Sequence, residues 1–382
     1  MASAFKLFTS MDNPQLTIHC LERSNNPHRT TAMSFSWLAK LAPICQQDLR
    51  QCRAWLRTFV RISLAAEQKP ASPLLVGLTE SGIIISALLH QELRALGLEA
   101  HWLCSTRRKI PGVQFNERHS HSPCHYIKLP ENSHAELWIV EDEITSGRTI
   151  LSLSRLLWEC LRLEHIRILA LADTRSAAQA AAFHQAMQRE GVRYSSHAMV
   201  QILKPGNGDD SIEVPMARTT PPRSAMTAPE DRPGDWYFPE HRPGLRVQGA
   251  FALALPQNLQ GTLLAVGEAI DLGLRLLLCN PAMSLQHVTL SPWKIDRANI
   301  HSRLEICGVY HLYNFERLKF PLHILCDPAD GEIGNELRRE LWRKGFRAEI
   351  LALQADDKNV STEHDSFGKY RQKEPVEPAC LR

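Results

Sequence analysis

Two neighbouring carboxylates, Glu141 and Asp142, are followed closely by Thr145, Ser146, Gly147, Arg148 and Thr149. Small hydroxylic residues and a glycine at the start of a helix leave backbone N–H groups facing outward, with the positive end of the helix dipole behind them. Such a turn is a seat for a phosphate. Carboxylates beside a phosphate would repel it unless vicinal hydroxyls or a hydrated Mg2+ filled the space between. A ligand with a phosphate at one end and a diol next to it satisfies both halves. A second turn, Thr79, Glu80, Ser81 and Gly82, also ends in glycine, which lets backbone approach an anion. Three consecutive cations, Arg107, Arg108 and Lys109, open a long irregular stretch that also holds His119, His121, Cys124 and His125. Imidazoles there could act as acid or base near neutral pH. A zinc site would need a second, separated ligand pair, which the sequence does not supply, so no metal is assigned to them.

The elements that must position these residues read as a parallel α/β core. Leu137 to Val140 is an apolar run of β-formers that suits a core strand, and Ile150, Leu153, Leu157 and Leu161 form one helical face after it. Leu74 to Gly77 predicts the earlier strand and about Ile83 to Leu96 its helix; Ala100 to Ser105 and Ile166 to Ala172 predict two more strands. Both phosphate-type turns then fall at carboxyl ends of strands, where open parallel sheets bind ligands. An alanine-rich helix, Ser176 to Glu190, and a weak strand close this unit.

The run Val140-Glu-Asp-Glu-Ile-Thr-Ser-Gly-Arg-Thr149 resembles the phosphoribosyl diphosphate motif of the type I phosphoribosyltransferases. That resemblance implies that Glu141 and Asp142 contact the ribose hydroxyls and Thr145 to Thr149 bind the 5′-phosphate. It also implies that Thr79 to Gly82 hold the diphosphate and that Arg107, Arg108 and Lys109 belong to a lid over it, with His119, His121 and His125 lining the lid. A receiver domain also ends a strand in acids, but expects them on its first strand and has no use for Thr-Ser-Gly. A solvated acidic turn is the remaining bland alternative.

The Asn26-Pro-His-Arg29 segment, the His-Ser-His-Ser run at 119–122 and a second α/β pattern bring the chain closer to one group. These are the orotate phosphoribosyltransferase-like proteins of bacterial tellurite-resistance and stress operons, which carry a C-terminal domain named for a Thr-Arg-Ser-Pro run. Val266-Gly-Glu268, Thr289-Leu-Ser-Pro292 and Leu312-Tyr-Asn314 stand in the corresponding order, with Leu290 in place of the arginine. The implied activity is Mg2+-dependent transfer from phosphoribosyl diphosphate to a nitrogen of an unidentified base-like substrate, giving a nucleoside-like product. The alternatives are a non-catalytic sensor of phosphoribosyl diphosphate or a nucleotide, and a second domain that acts on the product of the first.

At 382 residues the chain is too long for one ordinary core, and 44% hydrophobic with 22% charged residues describes a globular protein. A net charge of +3 with no basic stripe argues against a nucleic-acid partner. Ten cysteines without a Cys-x-x-Cys pair read as free thiols of a reducing compartment, and the absence of a long apolar span or leader points to the cytoplasm and away from membranes. A homodimer is compatible with all of this. The expected organisation is α/β: a helical flank over 1–72, a phosphoribosyltransferase core over 73–203, and a linker over 204–249. A smaller α/β domain over 250–353 and a polar tail over 354–382 follow. Eight of the 23 prolines fall between Pro205 and Pro243, which marks the linker.

Overall fold

The structure is a computed structural model that describes residues 3–8, 14–23, 31–65, 72–116, 124–130, 134–202, 212–213 and 256–351. The expectations placed on His119, His121, the Asn26 to Arg29 segment, the 354–382 tail and nearly all of the 204–249 linker lie outside these residues.

The first sheet is built from β4 (Leu74–Gly77), β5 (His101–Cys104), β8 (Glu136–Ile144), β9 (His165–Asp173), β10 (Tyr194–Ile202) and the short β11 (Ile212–Glu213), in the order β11-β10-β9-β8-β4-β5. All neighbours are parallel except β11, which pairs antiparallel with β10 inside the expected linker. Leu137, Trp138, Ile139 and Val140 are wholly buried, as a strand covered on both faces must be. β8 runs on to Ile144 because β9 continues to pair with it as far as Asp173. The acids therefore lie within a strand and not on a tip beyond it.

Helices α2 (Ser81–Ala95), α3 (Arg148–Cys160) and α4 (Ala177–Arg189) follow β4, β8 and β9. From β4 the chain moves to β5 on one side; from β8 it moves to β9 and β10 on the other. The topological switch point thus lies between the carboxyl ends of β4 and β8, and a crevice opens there.

Ahead of this core the expected helical flank is only half helical. Residues β1 (Ser3–Phe8), β2 (Pro14–Glu22) and β3 (Thr31–Phe35) make a three-stranded antiparallel sheet before α1 (Gln46–Ala65). β3 is buried by docking on the core: the Met33 N–H donates to the Glu143 carboxylate of β8 at 2.9 Å. α1 is tied to α2 by a buried triad in which Arg53 Nε and Arg57 Nε meet the two Glu92 oxygens at 2.7 and 2.5 Å.

A second parallel sheet has the order β13-β12-β16-β17, from β12 (Gly261–Val266), β13 (Met283–Val288), β16 (Leu322–Leu325) and β17 (Ala348–Ile350). α5 (Ile270–Cys279) and α6 (Gly331–Arg343) supply its crossovers, and β14 (Arg303–Ile306) pairs antiparallel with β15 (Tyr310–Tyr313). This sheet is not a bead on a string. Ile44 and Leu285 exchange two backbone hydrogen bonds of 2.8 Å, and His287 N–H donates to Ala39 O at 2.8 Å. One apolar core runs from Phe35, Trp55 and Leu88 to Leu263, Ile270 and Leu285.

Replacing Glu92 with Ala leaves two buried guanidinium groups without their carboxylate. Chemical denaturation is expected to show a loss of about 3–5 kcal/mol.

Candidate active site

The crevice between β4 and β8 contains a cavity of about 100 Å³ lined by Lys40, Thr79, Glu80, Ser81, Arg107, Glu141 and Asp142 on the side of the first sheet. A recess of about 50 Å³ adjoins it, sharing Thr79 and Glu141 and lined by Thr145 to Ile150 and His125. The two strand-end turns therefore line adjoining cavities that share Thr79 and Glu141. A surface groove of about 1000 Å³ between α6 and β17 is larger, but shares no residue with this cleft.

In the recess, Gly147 caps α3 at φ +77°, a conformation that glycine adopts without cost. A Cβ on Gly147 would lie 2.5 Å from the Phe183 ring, so the glycine is required by packing as well as by any approaching anion. Phe183 is itself held by Arg175, whose guanidinium sits 4.9 Å from the ring centre and forms two bonds to Asp173, at 2.9 and 2.6 Å. Thus Asp173, Arg175 and Phe183 buttress the loop, although no sequence motif marks them. Arg148 is exposed at the helix start. Glu143 also lines the recess, and its oxygens accept from Met33 N–H at 2.9 Å and from Thr174 Oγ1 at 3.0 Å.

The turn at Thr79 to Gly82 differs from its sequence reading. The Thr79 amide donates to Ser105 Oγ at 2.9 Å and its hydroxyl donates to Ser105 O, so both are used to latch the turn to β5. Gly82 is small for another reason than ligand approach: a Cβ there would meet the Val140 carbonyl at 2.9 Å. The Glu80 carboxylate points into the second sheet, where it accepts from Thr289 Oγ1 at 2.6 Å and from the Leu290 amide at 3.2 and 3.0 Å. What the turn leaves for an anion is the first turn of α2 and the cation beside it. That cation is Lys40, which sequence reasoning missed. It is buried, and its ammonium donates to Ser81 Oγ at 2.6 Å and to Ser291 Oγ at 3.1 Å. Its only sequence signal was a lone lysine ahead of α1.

The three consecutive cations separate. Arg107 lines the cleft and reaches Thr79 O at 3.4 Å. Lys109 is exposed. Arg108 turns away, pairing with Asp327 at 3.0 Å and Asp330 at 2.5 Å, while Glu268 accepts from Thr106 Oγ1 and the Arg107 amide at 2.8 and 2.9 Å. Glu268 and Asp327 follow β12 and β16, the switch point of the second sheet, so that sheet's own crevice is filled by Thr106 to Arg108. This corrects the reading of Arg108 as a cleft residue. His125 is buried, with Nδ1 3.1 Å from Ser105 Oγ and its ring stacked on Phe115, at the wall of the recess.

Burial raises the Glu80 pKa, but the neighbouring positive charges and the Thr289 bond outweigh it and hold the group below the ordinary carboxylate range. Burial, with Lys40 adding to it and Glu80 opposing it, pulls His287 down to about 4, and its Nε2–H donates to Gly267 O at 3.0 Å. At neutral pH His287 is therefore uncharged, and the cations facing Glu80 are Lys40 and Arg107.

Residues 21–202 match the family described as "Phosphoribosyl transferase". None of the curated proteins matches the chain. Among solved structures, the chain is similar to adenine phosphoribosyl transferase from Trypanosoma brucei, crystallised with AMP, pyrophosphate and ribose-5-phosphate. Identity is 10%, over 47% of this chain and 74% of that one, with a TM-score of 0.34. The Saccharomyces cerevisiae adenine phosphoribosyltransferase gives 16% identity over 46% and 93%, with a TM-score of 0.33. The one from Rhodothermus marinus gives 16% over 48% and 94%, with a TM-score of 0.32.

Gly147→Ala forces a side chain into a left-handed backbone and against Phe183, and denaturation is expected to show a loss of about 1–3 kcal/mol. His287 and His311 both have pKa values lowered from 6.5 to about 4, chiefly by burial. Their stabilising contribution is complete above 6.5; below it the unfolded chain takes up protons that the folded chain refuses. Melting temperature should fall as pH drops from 6.5 towards 4, and His311→Gln should flatten that slope.

Proposed function

We propose that the cleft binds phosphoribosyl diphosphate in the presence of Mg2+ and transfers its phosphoribosyl group to a nitrogen of a base-like acceptor. The match of residues 21–202 to the family described as "Phosphoribosyl transferase" supports this reading. The observation that carries the assignment is that two turns, on adjacent parallel strands, line adjoining cavities with Glu141 and Asp142 between them.

In this reading Thr145, Ser146, Gly147, Arg148 and Thr149 seat the 5′-phosphate in the recess, with α3 amides behind it. Glu141 and Asp142 orient the ribose hydroxyls. The first turn of α2, at Ser81 and Gly82, with Lys40 and Arg107, faces the diphosphate. The bond from C1 to the diphosphate oxygen breaks, a bond from the acceptor nitrogen to C1 forms, and the acceptor gives up a proton. Positive charge develops on the ribose as the bond breaks, as in glycoside chemistry, and carboxylates on that side stabilise it. Negative charge grows on the leaving group, where fixed cations and amides act without reorganising.

Among the described residues no group of three or more His, Cys, Asp or Glu side chains could hold a metal unaided. Glu141 and Asp142 share a cavity and offer hard oxygens, the donor type with which Mg2+ binds through one or two carboxylates plus substrate phosphates. Bound there, Mg2+ would neutralise diphosphate charge. No helix among the described residues is long and apolar enough to cross a membrane.

The test is diphosphate release from phosphoribosyl diphosphate and Mg2+ with a panel of nucleobases. Asp142→Asn should slow release by about a hundredfold. Tight binding by the wild type with no release on any base would instead make the protein a sensor.

A further inference from the structure

The family match ends at residue 202, yet one wall of the cleft is made of Leu290, Ser291, Pro292 and Trp293. This wall is fastened to the diphosphate turn. Thr289 Oγ1 and the Leu290 amide together give the Glu80 carboxylate three hydrogen bonds, of 2.6, 3.2 and 3.0 Å. Ser291 Oγ shares the Lys40 ammonium with Ser81, and Lys40 lies 5.5 Å from the centre of the Trp293 ring. Thr289 is in turn fixed by its backbone, which exchanges bonds of 3.0 and 2.7 Å with His311.

A carboxylate in a turn that is to receive a diphosphate presents a physical difficulty. Like charges repel, and Glu80 stands immediately before the first residue of α2. The repulsion is contained only while the carboxylate is turned away and satisfied elsewhere. Deprived of Thr289, a buried carboxylate would be left short of donors, which costs more than the bond was worth. The polar space within its reach is the cleft. Once there it would take Lys40 and Arg107 as partners and oppose the incoming diphosphate.

We propose that the Thr289 to Ser291 turn is a positioning element of the phosphoribosyl site: it holds the Glu80 carboxylate out of the diphosphate position and seats Lys40 beside Ser81. The second sheet, outside the matched region, therefore decides whether the diphosphate can bind. This inference rests on the phosphoribosyl reading above.

The test is calorimetric titration of full-length protein with phosphoribosyl diphosphate and Mg2+. Thr289→Val should weaken binding about tenfold or more, and Thr289→Ser, which keeps the hydroxyl, should bind like the wild type. Adding Glu80→Gln to Thr289→Val should restore most of the affinity, since the intruding charge is gone; a purely structural role for Thr289 would not respond to that change. Unaltered binding by a folded Thr289→Val protein, or no recovery in the double variant, overturns the proposal. If Thr289→Val does not fold, Ser291→Ala takes its place, with a several-fold loss expected and no loss overturning it. A wild type that does not bind phosphoribosyl diphosphate at all removes the phosphoribosyl reading, and this inference with it. Binding by the wild type with indifferent variants removes the inference alone.

Discussion

The buried carboxylate of Glu80 is the contact on which the arrangement of this protein turns. It leaves the first sheet at the start of α2, crosses to the second, and finds two donors there, the Thr289 hydroxyl and the Leu290 amide, with Lys40 and Arg107 close by. A charge withdrawn from water must be matched by hydrogen bonds and opposite charge or it destabilises the fold. The hydrogen-bond donors come from residues more than two hundred positions away. The two sheets are consequently held in one relative placement at the point where the cleft opens.

Around that contact the sheets meet by their carboxyl edges. Each has a switch point, the place where an open parallel sheet has room for a ligand. The first sheet keeps its crevice open and lines it with two strand-end turns. The second fills its own with Thr106, Arg107 and Arg108, received by Glu268, Asp327 and Asp330. The same docking explains the continuous apolar core and the backbone bonds from residues 39 and 44 to 285 and 287. A loop that begins in this grip has its root fixed by the second sheet, so Arg107 enters the cleft from a rigid base.

The phosphate loop shows how support accumulates behind a short motif. Gly147 takes its positive φ under the Phe183 ring, Arg175 covers the ring, and Asp173 orients Arg175. Each step is an ordinary packing or hydrogen-bonding contact. Together they fix the helix start within the limits that recognition of a small anion requires.

The order of strands and helices from Leu74 to Ile202, the α5 span and the acidic pair with its Thr-Ser-Gly turn were legible in the chain, because they rest on local periodicity and adjacent residues. The strands before residue 36, the β14 strand and the β6–β7 pair (Val113–Asn116 with Cys124–Ile127) were not; β6, β7 and β14 are only four residues long, and β3 is buried by docking on the distant β8. Lys40 and Phe183 carried no local signal for the same reason. Arg107, Arg108 and Lys109 look equivalent side by side, yet one lines the cleft, one pairs with two acids and one meets water. Sequence alone determined where strands give way to helices through turns of small residues, since periodicity and turn chemistry are local. Only the tertiary structure decided which cation faces them and where Glu80 points, because a buried charge goes to whichever distant partner the packing brings within hydrogen-bond reach.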